Sequence, residues 1–392
     1  MTLGHVAAAR PMLYVLSAPL SALSFWALVG VFTRSDAIRV VCGLLWTALA
    51  FGLGLYDTAN LAMLTVMMFL PAAFAFAFRA VGMYHTEDLV APRSSVQAAG
   101  CSALCFVPAV AAEPQLFLPL VAAFLVFLVL VPRHRATLLL IPVPSAFVVA
   151  PTLVNAVRYG SLGLWRQLFG DIAVPRTSVN GAPRSLNLAD IVARVALPVG
   201  RGTGSVRGWA EWLGVASIAG LLVVVVLAVL SLMLPFALRV SRMMWTVVVA
   251  GGVLAMVSSR VVIAVDADGP VAGSVQPGVC LAMLGLLCCA SQVAGDAVAR
   301  YRPLALPMSE RDEVRAGSAG RRLVLVRGAR AGLTALLAVC AVAWAALGLM
   351  GGTAQSVAAG SRGLPMVAVD YLQKNPAHRI LAERASSRTA VS

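Results

Sequence analysis

The sequence predicts an all-α fold, a polytopic integral membrane helical bundle of about ten transmembrane helices. Three observations predict it. Of 392 residues, 60% are hydrophobic and only 12% charged, against about a quarter charged in a soluble domain. The apolar residues gather into runs close to the ~20 residues that cross a hydrocarbon core. Arginines collect in the short loops of one side only, which is the positive-inside asymmetry of a multi-pass protein.

In chain order the runs are 12–32, 40–56, 61–78, 96–112, 116–132, 138–157, 213–237, 244–265, 278–296 and 331–351. The first has neither a strongly basic start nor a small-residue cleavage site, so it is read as a retained anchor. The fourth, VQAAGCSALCFVPAVAA, is short and weak, yet omitting it would mix the loop charges on the two sides. Arg34 and Arg39, Arg79 and Arg93, Arg133 and Arg135, and Arg239 and Arg242 share one side, whereas the short loops around Asp57, Glu113 and Asp266 hold no Arg or Lys. The arginine side is therefore cytoplasmic, and both termini are extracytoplasmic. The chain divides into a membrane region 1–157 with six crossings, an extracytoplasmic loop 158–212, a membrane region 213–351 with four crossings, and a polar extracytoplasmic tail 352–392.

The net charge of +14 lies in short clusters between the runs and not in one stripe with interleaved aromatics, so membrane lipids are expected as partners and nucleic acid is not. Cys42, Cys101, Cys105, Cys280, Cys288, Cys289 and Cys340 lie in or beside apolar runs and read as buried thiols, not a disulfide framework. The four histidines are scattered, and no metal site or cofactor is expected. GRGTGS at 200–205 follows no strand and reads as a flexible linker. The charged stretch 300–330 carries a helix-capping pattern from Ser309 to Asp312 and reads as a juxtamembrane helix, the alternative being a seat for a cytoplasmic partner domain.

Few residues could carry chemistry. Asp266-Ala267-Asp268-Gly269 is an Asp-x-Asp, the pattern that holds a divalent metal against a diphosphate in many sugar-nucleotide enzymes. Here it reads first as a polar cap on the eighth crossing. Asp57 and Glu113 sit at outer helix ends, where a carboxylate can serve as base for an acceptor hydroxyl. Asp57, Asp266 and Asp268 are the weak catalytic candidates. Arg158, Tyr159, Trp165 and Arg166 follow a proline-rich crossing, placing aromatic anchors and guanidinium groups at headgroup level. Guanidinium forks match phosphate geometry, so Arg158, Trp165 and Arg166 form the candidate lipid-phosphate site, with interfacial anchoring as the plainer reading. Arg260 lies near the outer end of its run and can snorkel.

Four stretches carry a family resemblance: FTRSDAIRVVCGLLWTALAFGLG at 32–54, PTLVNAVRYGSLGLWRQLFGDIAVP at 151–175, IAVDADGPVAGSVQPGVCLAM at 263–283, and LPMVAVDYLQKNPAHRILAERA at 364–385. On these the chain resembles the C-terminal membrane portion of actinobacterial family 2 glycosyltransferase-like membrane proteins. It departs in having Tyr56-Asp57-Thr58 where the family tends to show a Gly-Arg pair, and Ser274 where Trp is common. The resemblance implies a membrane component of cell-envelope polysaccharide assembly, similar to lipid-carrier-dependent glycosyltransferases, that holds a polyprenyl-phosphate-linked sugar or a glycan acceptor. The family's cytoplasmic catalytic domain is not seen in this chain, so the resemblance assigns transfer to a separately encoded family 2 glycosyltransferase subunit. Two alternatives stand beside it: a transporter or flippase of an envelope precursor, and an inactive fragment of a larger glycosyltransferase.

Overall fold

The computed structural model describes residues 6–33, 35–56, 59–84, 94–131, 135–169, 192, 207–233, 238–266, 269–295, 328, 331–346 and 349. Almost all belong to one compact unit, Tyr14–Gln355; of the other, Met1–Leu13 with Ser356–Ser392, only the opening of the first helix is described.

The regular secondary structure of the described residues is helical apart from one short hairpin. The helices are α1 (Val6–Val29), α2 (Asp36–Gly52), α3 (Leu61–Ala80), α4 (Val96–Ala112), α5 (Phe117–Leu130), α6 (Arg135–Leu140), α7 (Pro142–Arg158), α8 (Arg207–Ser231), α9 (Leu238–Ser258), α10 (Gln276–Ala294) and α11 (Ala331–Ala346). Among the described residues six helices are long and apolar enough to cross a membrane: Pro11–Val29, Leu61–Ala80, Thr137–Arg158, Gly214–Ser231, Val240–Ser258 and Gln276–Ala294. The expected crossings at 96–112, 116–132 and 331–351 correspond to shorter apolar helices. The weak fourth run is a helix nonetheless, because Ser95 accepts the Ala98 N–H at 3.2 Å and so caps its start.

Two boundaries differ from the sequence reading. The eighth run does not stay helical to residue 265. Its helix ends at Ser258, and Val262–Asp266 (β1) pairs antiparallel with Gly269–Ala272 (β2), with Asp266 opposite Gly269. The reason is local: Val262, Ile263 and Val265 are β-branched and an Asp-Gly pair follows, which is hairpin chemistry. Asp266 therefore ends a strand and does not cap a helix. At the seventh run α8 begins at Arg207, so the end of the 158–212 interval is already helix.

Helix α10 is the hub, buried along nearly its whole length and packed against α2, α3, α8 and α9. Lipid tails are as apolar as leucine, so helices in a bilayer gain by close approach and not by hydrophobic exclusion, and small residues allow that approach. On α10, Gly278 meets Gly251 and Ala255 of α9, while Gly285 meets Met244 and Val248. On the other flank the rings of Phe74, Phe106, Phe124 and Phe127 lock α3, α4 and α5 together at centroid distances of 5.3 to 6.4 Å. Ser102 of α4 also donates to the Ala73 carbonyl of α3 at 2.8 Å.

The cysteines are all free. Five are buried and Cys101 and Cys105 are half-buried, so they act as small apolar fillers of the helix contacts.

Candidate functional site

Residues far apart in sequence meet at one end of the bundle. The 3-10 turn Leu164–Phe169 after α7 packs against both strand β1 and the 3-10 turn Pro114–Leu116 after α4, and the latter turn also packs against α10. The amide of Ser274 donates to the Phe169 carbonyl at 3.4 Å, and Gly273 is wedged against Phe169 and the Ser258 carbonyl. Asn60, whose side chain caps α3 by accepting the Met63 N–H, donates to Gln276 at 3.4 Å. Gln276 in turn donates to the Leu53 carbonyl.

A buried polar chain lies at the same end. Glu113 is 2% exposed, and Gln115 donates to its carboxylate at 3.1 Å. The Ser258 hydroxyl donates to the other end of Gln115, its carbonyl oxygen, at 3.0 Å. A buried carboxylate in a membrane protein is costly and is normally held by such partners. The sequence signal for Glu113 was its place at a helix end. Gln115 and Ser258 were missed, because the contact joins positions 143 residues apart.

The candidate lipid-phosphate residues lie on either side of a chain reversal. Gly163, at a φ of +78°, makes the left-handed turn between the 3-10 turns Gly160–Leu162 and Leu164–Phe169, a conformation open to glycine at no steric cost. Arg158 ends α7, exposed, with its guanidinium 5.5 Å from the Tyr159 ring. Arg166 is exposed over Trp165 at 5.8 Å, and Trp165 meets Phe169 edge-on at 6.3 Å. Neither guanidinium has a carboxylate partner among the described residues. Each guanidinium is exposed beside an aromatic ring, that of Arg166 also lying against Gly163. Arg260, just past α9, is also exposed.

Beneath the turn an apolar cleft of about 740 Å³ runs between α5 and α9. Leu168, Phe169 and Gln115 line it at this end, Ala122 and Ala250 along its length, and Arg242 at the far end. From Val257 to Arg242 the α9 wall covers roughly 22 Å at ~1.5 Å per residue, a large part of a hydrocarbon core of ~30 Å.

Of the catalytic candidates, Asp57 and Asp268 lie outside the described residues, as do Ser309 to Asp312 and the GRGTGS stretch. The backbone of Asp266 is placed at the end of β1, and its side chain lies outside the described residues. Trp165 meets Phe169, which lines the cleft together with Gln115 of the Glu113–Gln115–Ser258 chain, whereas Arg158 and Arg166 are not in its lining. Comparison with protein-family models, with curated proteins and with solved structures finds no match to this chain.

Proposed function

We propose that this chain is a multi-pass component of the cell membrane, related to envelope glycosyltransferases, that holds a lipid-linked sugar or glycan acceptor by its phosphate. The observation that carries this reading is the pairing of two exposed guanidiniums, Arg158 and Arg166, each beside an aromatic ring, with an apolar cleft beneath the turn that bears Arg166. Phosphate suits the arginine fork, and a hydrocarbon chain suits the cleft. In this reading ten helices cross the membrane, this end of the bundle is extracytoplasmic, both termini lie on the same side, and a separate family 2 subunit supplies the transfer chemistry.

The flippase alternative is less well supported. Between its ends the cleft is walled by Ala, Val, Leu and Pro side chains, which offer a phosphate headgroup nothing to replace its water on the way across.

Binding of a polyprenyl-phosphate analogue to the purified protein in nanodiscs tests the reading. The wild type should bind it and Arg166→Ala should bind it markedly less. Equal affinity for wild type and Arg166→Ala would reduce Arg166 to an interfacial anchor. Unchanged envelope glycan composition after clean deletion of the gene would count against the envelope role itself.

A further inference from the structure

The far end of the cleft carries a group that the outer-end site does not use. Arg242 lies one turn into α9, exposed, and among the described residues it makes no ion pair or hydrogen bond. Its neighbours in the lining cannot replace it as donors. Trp245 donates its indole N–H to the Ala228 carbonyl at 3.1 Å, and Thr246 donates its hydroxyl to the Met243 carbonyl at 2.7 Å. Gln115, at the opposite end, is engaged by Glu113 and Ser258. The cleft thus offers one uncommitted cationic donor above an apolar trough whose rim residues Val126, Val249 and Val253 are exposed.

We propose that this half of the cleft is a binding site for an anionic phospholipid of the leaflet at the Arg242 end. The phosphate takes the Arg242 guanidinium, and one acyl chain runs along α9 between Ala122 and Ala250. The dimensions agree. A leaflet contributes about 15 Å of hydrocarbon, half of ~30 Å, and the α9 wall from Arg242 to Val253 covers roughly 16 Å. The charge agrees as well, since a single cation at the end of an otherwise apolar trough complements one anionic headgroup with a flexible chain. A second copy of this chain would have to bring a buried carboxylate to Arg242 to match it. The proposal shares the cleft with the reading above but not its phosphate contacts, so loss of the Arg242 headgroup contact would leave the phosphate site at Arg158 and Arg166 untouched, whereas a second copy seated in the cleft would count against both.

The test is lipid retention by the full-length protein, measured by native mass spectrometry after purification from nanodiscs holding equal phosphatidylglycerol and phosphatidylcholine of the same acyl chains. Wild type should retain phosphatidylglycerol preferentially, and the preference should shrink as ionic strength rises. Arg242→Gln should lower retained phosphatidylglycerol about tenfold, the scale of one hydrogen bond to a charged group. Ala250→Phe, which fills the trough, should lower it too, while Leu222→Phe on the exposed face of α8 should not. Equal retention of the two lipids by wild type, at any salt, would overturn the proposal without any variant. So would loss in Arg242→Gln with full retention in Ala250→Phe, which would leave a headgroup contact and no chain seat. A change in oligomeric state on Ala250→Phe, with lipid retention unchanged, would overturn it as well and assign the cleft to a second copy.

Discussion

The indole N–H of Trp46 on α2 donates to the Met67 carbonyl on α3 at 2.9 Å. That carbonyl is the one Pro71, four residues further along the same helix, cannot serve, because proline has no N–H. A proline in a spanning helix is tolerated when a neighbour satisfies the freed carbonyl, and here the neighbour is a wholly buried Trp stacked on Phe25 at 5.1 Å. Trp46→Phe should therefore cost about 1–3 kcal/mol, the range for leaving a buried polar group without its partner. In a Pro71→Ala background the alanine's backbone amide can take the carbonyl, and the cost of Trp46→Phe should fall. A double-mutant cycle on thermal unfolding in detergent reads the coupling; equal costs in both backgrounds would show that the indole acts through packing alone.

Gly251 and Gly278 face each other across α9 and α10. A Cβ on Gly251 would lie 2.6 Å from the Gly278 carbonyl oxygen, and one on Gly278 would lie 2.7 Å from the Gly251 carbonyl oxygen. No rotamer relieves a clash between a Cβ and backbone, so Gly278→Ala must separate the helices and should cost about 1–3 kcal/mol. Gly252→Ala has nothing within 4 Å and should be neutral or slightly stabilising, since alanine favours helix by about 1 kcal/mol over glycine. Comparing the melting temperatures of these two variants checks the interface with composition held constant.

How much was legible in the sequence follows from the range of each interaction. Helices α3 and α4 begin where Asn60 and Ser95 cap them, and the apolar runs 61–78 and 96–112 locate them within two residues. Those signals are local. The hairpin at 262–272 was hidden because Val262, Ile263 and Val265 extend an apolar run without a break, and hydrophobicity alone does not tell a strand from the end of a helix. Arg158, Trp165 and Arg166 stand out in the sequence as arginines beside aromatic residues, and the structure shows them exposed with each guanidinium near a ring, but the cleft beneath the turn was not legible. It exists because α5 packs against α9, and no spacing along the chain records that partnership.

The chain from Glu113 through Gln115 to Ser258 should behave as one unit. Gln115→Leu removes both the N–H given to Glu113 and the carbonyl taken by Ser258, and should destabilise by about 1–3 kcal/mol. Ser258→Ala removes only one neutral bond and should cost about 1 kcal/mol. Because Gln115→Leu already deletes the acceptor of Ser258, the double variant should cost little more than Gln115→Leu alone, and fully additive costs would show that Ser258 acts through other contacts.

Topology can be tested at described, exposed positions. Ala37 lies in the first turn of α2 near Arg39, and Ser161 lies in the 3-10 turn after α7. With arginine pairs marking the cytoplasmic side, Ser161→Cys should react with a membrane-impermeant thiol reagent on intact cells, and Ala37→Cys only after permeabilisation. The native thiols, buried or half-buried within apolar helices, should give little background. The reverse pattern would invert the proposed orientation and move the Arg166 site to the cytoplasmic face.

Arg166 decides the proposed lipid-phosphate site. Its guanidinium is exposed over Trp165, so Arg166→Ala removes donors without opening the core, and folding should survive. Affinity for a polyprenyl-phosphate analogue in nanodiscs should fall by roughly 1.5–3 kcal/mol, the range for a hydrogen bond to a charged group. Arg166→Lys should recover only part of it, since an ammonium keeps the charge but lacks the planar fork and stacks less well on the indole. Trp165→Leu should weaken binding less than Arg166→Ala, because it leaves the charge and removes only the ring beside it. Arg322→Ala, assigned by its sequence position to the opposite side, should change nothing. If Arg166→Lys matched wild type, the site would be reading net charge, and any anionic headgroup would bind as well as the isoprenoid phosphate.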